Sequence, residues 1–124
     1  MICKLLALAI LLFMAGTASA APLDVRINAP SGTLVHGQKT TDMTNGGETL
    51  AASTAVLSVS LKAACSNLVS VHVGASTVNA STSLGRTLAP CETLDLDVKN
   101  LNVIYVDSGT TTTAVIEYVG VVGP

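Results

Sequence analysis

The stretch Leu57-Ser58-Val59-Ser60-Leu61-Lys62-Ala63 alternates apolar and polar residues over seven positions. Side chains on a β-strand point to opposite faces in turn, so this pattern predicts a strand with one face in a core and the other in solvent. We place the strand at 55–64, with Leu57, Val59, Leu61 and Ala63 inward. The same period of two returns at 69–73 and 93–98. The three segments together predict a β-domain.

Four further segments are rich in β-forming residues but are not clearly divided into an apolar and a polar face: 34–41, 48–51, 103–106 and 114–119. The last two are apolar on both faces apart from Glu117, which predicts that each is covered on both sides, by another sheet or by a partner chain. Between these two lies Asp107-Ser108-Gly109, a turn-forming sequence, and we predict a hairpin there.

No stretch of 11 or more residues after Ala21 carries a helical apolar stripe, so we expect helices to be absent or limited to a single turn. Seven or eight short strands, recurring at about 8 to 12 residues, are typical of a β-sandwich or a small closed barrel. The predicted fold class is therefore all-β, with antiparallel strands.

The first 20 residues differ in composition from the rest, because 16 of them are apolar. Lys4 precedes an apolar run from Leu5 to Ala15, and Ala18-Ser19-Ala20 has the small residues of a cleavage site. This arrangement predicts a secretory signal peptide at 1–20, cut between Ala20 and Ala21, with a retained N-terminal anchor as the alternative. We accordingly expect one exported all-β domain at 21–124, periplasmic or extracellular, which meets a membrane only through its signal peptide during export.

Charge and aromatic content exclude several functions for residues 21–124. Five basic and eight acidic residues give a formal charge of −3, without a basic cluster of the kind that nucleic-acid binding needs. Tyr105 and Tyr118 are the only aromatic residues, which is too few for a base-stacking or sugar-binding platform. We expect no nucleic-acid partner, no small-molecule substrate and no cofactor.

Two cysteines remain after the signal peptide, Cys65 and Cys91. In an oxidising compartment they would form a disulfide that closes a loop of about 27 residues and stabilises the fold by roughly 3.5 kcal/mol. Reactive thiols or metal ligands are the alternatives, although neither cysteine lies in a C-x-x-C motif and no histidine stands at ligand spacing.

Residues that could carry chemistry are few. His36 and His72 fall in separate strand-like segments, with His72 outward, and two isolated histidines do not predict a catalytic dyad. Asp95 and Asp97 share one side of a strand near Glu92 and could hold Ca²⁺ with Asp107, but the EF-hand pattern is missing. A solvated strand face is the preferred interpretation, with no metal site, and we do not expect an enzyme.

A series of short segments resembles a known group of proteins. In order they are Leu34-Val35-His36-Gly37-Gln38-Lys39-Thr40, Thr49-Leu50-Ala51-Ala52-Ser53, Val59-Ser60-Leu61-Lys62-Ala63, Val71-His72-Val73-Gly74, Leu88-Ala89-Pro90, Glu92-Thr93-Leu94, Val98-Lys99-Asn100-Leu101 and Ile104-Tyr105-Val106-Asp107. Their order and spacing are similar to the small β-structured virion proteins of tailed bacteriophages, which serve as head decoration, head-fibre or tail-associated modules. The resemblance covers about residues 32–120.

The resemblance implies a β-sandwich or jelly-roll-like unit with a structural, non-catalytic role, used in repeated copies on a particle. The family tends to have glycine at the position of Cys91, and Cys65 is a second departure, which favours a bridge particular to this chain. The signal peptide also departs from the family, because virion proteins assembled in the cytoplasm need no export. It implies a membrane-routed virion, a bacterial protein that carries the module, or a start codon assigned too far upstream.

The sequence thus predicts a structural protein of a phage or prophage-derived particle that acts by protein–protein packing. Its expected partners are other virion or surface proteins and further copies of itself. The expected interaction surface comprises Tyr105, Ile116, Tyr118 and Val119, which lie on the two segments that are apolar on both faces. The alternative is a secreted or periplasmic bacterial binding module of adhesin-like type.

Overall fold

The computed structural model describes residues 32–123, so the predicted signal peptide and its predicted cleavage site at Ala20 and Ala21 lie outside the described residues. Eight strands form two four-stranded antiparallel sheets. The strands are β1 (Thr33–Thr40), β2 (Glu48–Thr49), β3 (Ser58–Ala63), β4 (Val71–Gly74), β5 (Arg86–Leu88), β6 (Thr93–Leu96), β7 (Tyr105–Asp107) and β8 (Val115–Val122). A 3-10 turn, Leu101–Val103, is the only helix within 32–123, and no helix there is long and apolar enough to cross a membrane.

The strand order has the winding of a jelly roll. Sheet A runs β1-β8-β3-β6 and sheet B runs β2-β7-β4-β5. The first strand pairs with the last, the second with the seventh, the third with the sixth and the fourth with the fifth. Such nested pairing is that of one long hairpin folded over into two sheets, which is the eight-stranded jelly-roll arrangement. The predicted fold class is confirmed.

The core lies between the two sheets and consists of aliphatic side chains. Along β3, Val59, Leu61 and Ala63 are buried while Ser60 and Lys62 are exposed, which confirms the alternation seen in the sequence. The buried apolar cluster contains Leu50, Val56, Val59, Leu61, Ala63, Val71, Val73, Leu88, Leu101, Ile104, Val106, Ala114 and Ile116.

The inward position predicted for Leu57 is wrong. Its side chain is 51% exposed, whereas that of Val56 is 4% exposed. The chain bends at Leu57, just before β3 begins, and this bend shifts the alternation by one residue. Val56 therefore fills the inward place, and a Cβ atom added to Gly120 would be 3.1 Å from its Cγ1 atom.

The hairpin predicted around Asp107-Ser108-Gly109 is also wrong, because β7 belongs to sheet B and β8 to sheet A. The turn chemistry is present: the Asp107 carboxylate accepts the Gly109 N–H over 2.9 Å, and Gly109 has a φ of +81°. The threonine-rich residues that follow, 110–113, cross from one sheet to the other instead of returning beside β7.

Buried hydroxyl groups hold this crossover against the end of β1. The Ala114 N–H donates to Thr41 Oγ1 over 2.9 Å, and Ser108 Oγ donates to the Thr112 carbonyl over 3.0 Å. The Thr41 and Ser108 hydroxyls are hydrogen-bonded to each other, and both residues are buried. A chain of hydrogen bonds thus connects Thr41, at the end of β1, to both ends of the crossover. Because these groups are buried, losing any one of these hydrogen bonds would destabilise the fold.

Cys65 and Cys91 form a disulfide, as the sequence predicted. Cys65 follows β3 and Cys91 precedes β6, and these two strands are neighbours in sheet A. The Cys91 N–H donates to the Ala63 carbonyl over 3.0 Å, so the backbone pairing of the two strands continues up to the bridge. The bridge fixes the ends of two strands that are already adjacent.

The long connection between β4 and β5 packs onto the outer face of sheet B. Val78 is 2% exposed, and a Cβ atom added to Gly47, Gly74 or Gly85 would meet its side chain. The Ala80 N–H donates to the Asp107 carboxylate over 2.6 Å, which ties the same connection to β7. The connection is thus anchored by one valine, for which Gly47 and Gly85 leave room.

Candidate interaction surface

The outer side of sheet A carries exposed residues from all four of its strands. Its residues lie in cross-strand rows, which follow from the strand register. One row comprises His36, Val119, Ser60 and Asp95, and the next comprises Gln38, Glu117, Lys62 and Thr93. The face therefore mixes aliphatic, hydroxyl and charged groups of both signs.

Strand β8 forms a ridge along this face between two shallow grooves. Glu117, Tyr118 and Val119 border both grooves. The groove towards β3 has a volume of about 220 Å³ and the groove towards β1 about 260 Å³. Val119 is 47% exposed on the ridge, and Leu34 is 63% exposed near the start of β1.

The structure divides the residues predicted for an interaction surface among different places. Val119 is exposed on sheet A, and Tyr118, half-buried, borders the same grooves. Tyr105 lies on sheet B, half-buried beside Gly47. Ile116 is fully buried in the core, so its assignment to a surface is wrong. The reason is that β8 does alternate: Ile116 points into the sandwich, and Glu117 and Val119 point out.

The two histidines lie on different sheets. His36 is exposed on the outer face of sheet A, whereas His72 lies in sheet B between Thr87 and Asp107 on the neighbouring strands. His72 Nε2 is 3.1 Å from Thr87 Oγ1, and its buried Nδ1 has no hydrogen-bond partner in the described part of the chain. The Asp107 oxygens are engaged with the backbone N–H groups of Ala80 and Gly109.

The carboxylates considered for Ca²⁺ do not converge. Asp95 is exposed in sheet A, and Asp107 is buried in sheet B. Among residues 32–123, no group of three or more histidine, cysteine or carboxylate side chains is placed to hold a metal ion.

One cavity was not foreseen from the sequence. It has a volume of about 300 Å³ and opens between β6 of sheet A and the β4–β5 side of sheet B. The alternation at 93–98 did indicate the inward residues on its β6 side, but these are only half-buried because β6 is an edge strand. The lining residues are Val73, Gly74, Ala75, Arg86, Leu94, Leu96, Val98, Val103 and Ile104.

Comparison with protein-family models, with curated proteins and with solved structures finds no match to this chain. The geometry described above, together with the residues themselves, is therefore what bears on function.

Proposed function

We propose that this protein is a non-catalytic structural component of a phage or prophage-derived particle, acting by protein–protein packing. The observation that carries the proposal is the outer face of sheet A, with its β8 ridge between two grooves. An exposed β-branched residue at the centre of this ridge, Val119, offers apolar area at low conformational-entropy cost.

The polar groups around the ridge suit a specific contact. Lys62 lies opposite Glu117 across β3 and β8, and Asp95 lies opposite Ser60 across β6 and β3. Charges of both signs, interspersed with short hydroxyl side chains, favour one docking register over others through electrostatic complementarity. A partner that fills both grooves would cover Val119 from either side.

The fold adds support by analogy alone. Jelly rolls build viral capsid domains, and they also build lectins and cupins, so the architecture by itself does not select a function. The resemblance of residues 32–120 to phage virion modules is what favours the particle.

Localisation on particles tests the proposal. We would induce the producing host, purify the released particles and label them with gold-conjugated antibody against the mature protein for electron microscopy. Regular labelling of particle heads, fibres or tails is expected. Label confined to cell envelopes or to free protein would overturn the particle role.

A second measurement tests the proposed contact surface. Val119→Lys should shift the purified protein towards monomer in sedimentation velocity and reduce its binding to particles, because a cation replaces the apolar centre of the ridge. Leu68→Lys is the matched control, since Leu68 is 86% exposed in the β3–β4 connection, away from the ridge. A Val119→Lys protein that assembles like the unaltered chain would contradict the assignment.

The Cys65–Cys91 disulfide favours a second candidate, a secreted or periplasmic binding module of adhesin-like type. Bridges of this kind persist in oxidising compartments. In the labelling experiment this candidate predicts gold on the cell surface or in the periplasm and none on particles.

A further inference from the structure

The cavity between β6 of sheet A and the β4–β5 side of sheet B lies at one side of the sandwich. Within the described residues, β6 and β5 are the last strands of their sheets on this side. The inward residues of β6, Leu94 and Leu96, pack against the core but remain half-buried. Apolar side chains therefore border an accessible space of about 300 Å³.

The lining of the cavity runs from core residues to exposed ones. Val73 is 3% exposed and Ile104 is 2% exposed, whereas Val103 is 53% exposed. Ala75 lines the cavity two residues after Val73 and is also exposed. Its methyl group is too small to fill this end of the sandwich, so the space reaches inward as far as the core.

Arg86, at the start of β5, is the one charged side chain among the described residues that line the cavity. Its register partner on β4 is Val73, which points into the core. Directly paired residues of two antiparallel strands share a face, so the Arg86 side chain leaves sheet B on the inner side. This side chain is 66% exposed, because a long stem can pack on apolar residues while the guanidinium stays in water. A cation thus stands at the mouth of an apolar cavity.

The Arg86 guanidinium has hydrogen-bond donors available for a ligand. Its contact with Glu92 joins Nη2 to one carboxylate oxygen over 3.4 Å, and the other oxygen of Glu92 accepts the Ala89 N–H over 2.9 Å. An exposed ion pair of this kind contributes little to stability. Since a guanidinium carries five N–H donors, Arg86 can also bind a ligand carboxylate through two parallel hydrogen bonds.

We propose that this cavity binds a single-chain fatty acid, with the acyl chain along the inward side of β6 and the carboxylate on Arg86. A chain of roughly ten carbons suits the volume, because a methylene group takes up about as much space as a water molecule, about 30 Å³. The low aromatic content, from which the sequence predicted no small-molecule substrate, is compatible with such a ligand. An acyl chain gains affinity from the burial of apolar area, which aliphatic side chains provide.

The inference is independent of the particle role. The residues on which it depends lie between the two sheets, whereas the proposed contact surface is the outer face of sheet A. Failure of either proposal therefore leaves the other in place.

Titration of the oxidised protein with decanoate, followed by NMR, tests the proposal. Saturable shifts of the Leu94, Leu96 and Val98 methyl signals are expected, with a Kd of about 100 µM or tighter. Decanol, which has the same chain without the charge, should bind about tenfold more weakly. Methyl signals that decanoate does not shift would overturn the proposal, and equal affinities for decanoate and decanol would overturn the role of Arg86.

Two charge variants test the carboxylate site. Arg86→Gln should lower the affinity for decanoate about tenfold and leave that for decanol unchanged, because it removes the cation and keeps the apolar lining. Lys99→Gln is the matched control, since it removes the same charge from an exposed residue outside the lining. Equal losses of decanoate affinity in the two variants would assign the effect to net charge and overturn the carboxylate site.

A third variant tests where the acyl chain lies. Ala75→Leu should weaken the binding of decanoate and decanol alike, because the larger side chain occupies part of the cavity. Ala75 is exposed, so the added atoms do not enter the packed core. Undiminished binding of both ligands to this variant would place the chain elsewhere and overturn the assignment of the cavity.

Discussion

Thr41 is a buried hydroxyl residue on which the packing of two sheets depends. Its Oγ1 accepts the Ala114 N–H and shares a hydrogen bond with Ser108 Oγ. Nothing in the period-two pattern of β1 marks this residue, because it follows the last strand position and looks like any other threonine of the sequence. Its role comes from the crossover of residues 108–114, which only the tertiary structure places beside it.

Replacing Thr41 with valine keeps the shape and removes the hydroxyl. We expect Thr41→Val to lower the free energy of unfolding by about 1–3 kcal/mol, because the buried Ala114 N–H and Ser108 hydroxyl lose a partner. Urea unfolding under oxidising conditions measures the change. Thr40→Val is the control, since Thr40 is exposed, and its effect should stay within about 0.5 kcal/mol.

Cys91 has a backbone φ of +70°, a conformation in which glycine is favoured over other residues. The resemblance to virion modules implied glycine at this very position. The cysteine thus occupies a left-handed turn at a cost in backbone energy, and the bridge to Cys65 offsets that cost.

Two double variants separate these opposing effects. Both Cys65→Ala/Cys91→Gly and Cys65→Ala/Cys91→Ala lose the bridge and should be less stable than the oxidised protein by roughly 3 kcal/mol. The glycine variant should be the more stable of the two by about 1 kcal/mol, since alanine is strained at a positive φ. Equal stabilities in urea unfolding would mean that the turn relaxes once the bridge is gone.

At the scale of elements, the β4–β5 connection shows how one valine can hold a loop. Val78 lies so close to Gly47 and Gly85 that a Cβ atom added at either position would clash with its side chain, at 2.4 Å and 2.6 Å. The loop is anchored by packing at one point and by the Ala80–Asp107 hydrogen bond at another.

A double-mutant cycle tests this anchor. Gly47→Ala should destabilise the fold by about 1–3 kcal/mol through a clash with Val78, and adding Val78→Ala should remove most of that penalty. Gly46→Ala is the contrasting case. Gly46 has a φ of +126° and open space around it, so its cost is conformational and Val78→Ala should not relieve it. Additive effects of Gly47→Ala and Val78→Ala would contradict the proposed contact.

Strand identity was predictable from the sequence where side chains alternate strongly, as along β3. Strand β5 was missed, because Arg86-Thr87-Leu88 has one buried apolar residue and too little length for a period to show. The bend at Leu57 and the crossover after Asp107 were beyond prediction for another reason. Both depend on which sheet the next strand joins, and local turn chemistry is the same for a hairpin and a crossover.

The candidate surface was predictable only in part, for a related reason. Val119 and Ile116 are both apolar and lie three residues apart on β8. Val119 is exposed and Ile116 is buried, because only one face of the strand meets sheet B. The disulfide was easier to foresee, since residues 21–124 contain two cysteines, and neither has the spacing of a metal site or a C-x-x-C motif.

At the scale of the whole molecule, the pairing of β1 with β8 joins the first and last described strands. Sheet A is therefore completed only when distant parts of the chain have met. Such non-local β-topologies fold slowly, and we expect refolding of the oxidised protein in milliseconds to seconds. Stopped-flow circular dichroism measures the rate, and relaxation in microseconds would contradict this view of the topology.

The register of β1 and β8 also brings the two ends of the described chain together, since Thr33 lies opposite Val122. A domain whose ends emerge side by side can be spliced into a surface loop of another protein without being stretched. It can equally be circularly permuted, with its original ends joined by a short linker and new termini placed in a loop. The Ser/Thr-rich residues 75–84 between β4 and β5 offer a place for new termini, provided that Val78 keeps its contacts. A domain trimmed to residues 33–122 would therefore serve as a display unit, in which sequences fused to either end leave from the same corner of the sandwich.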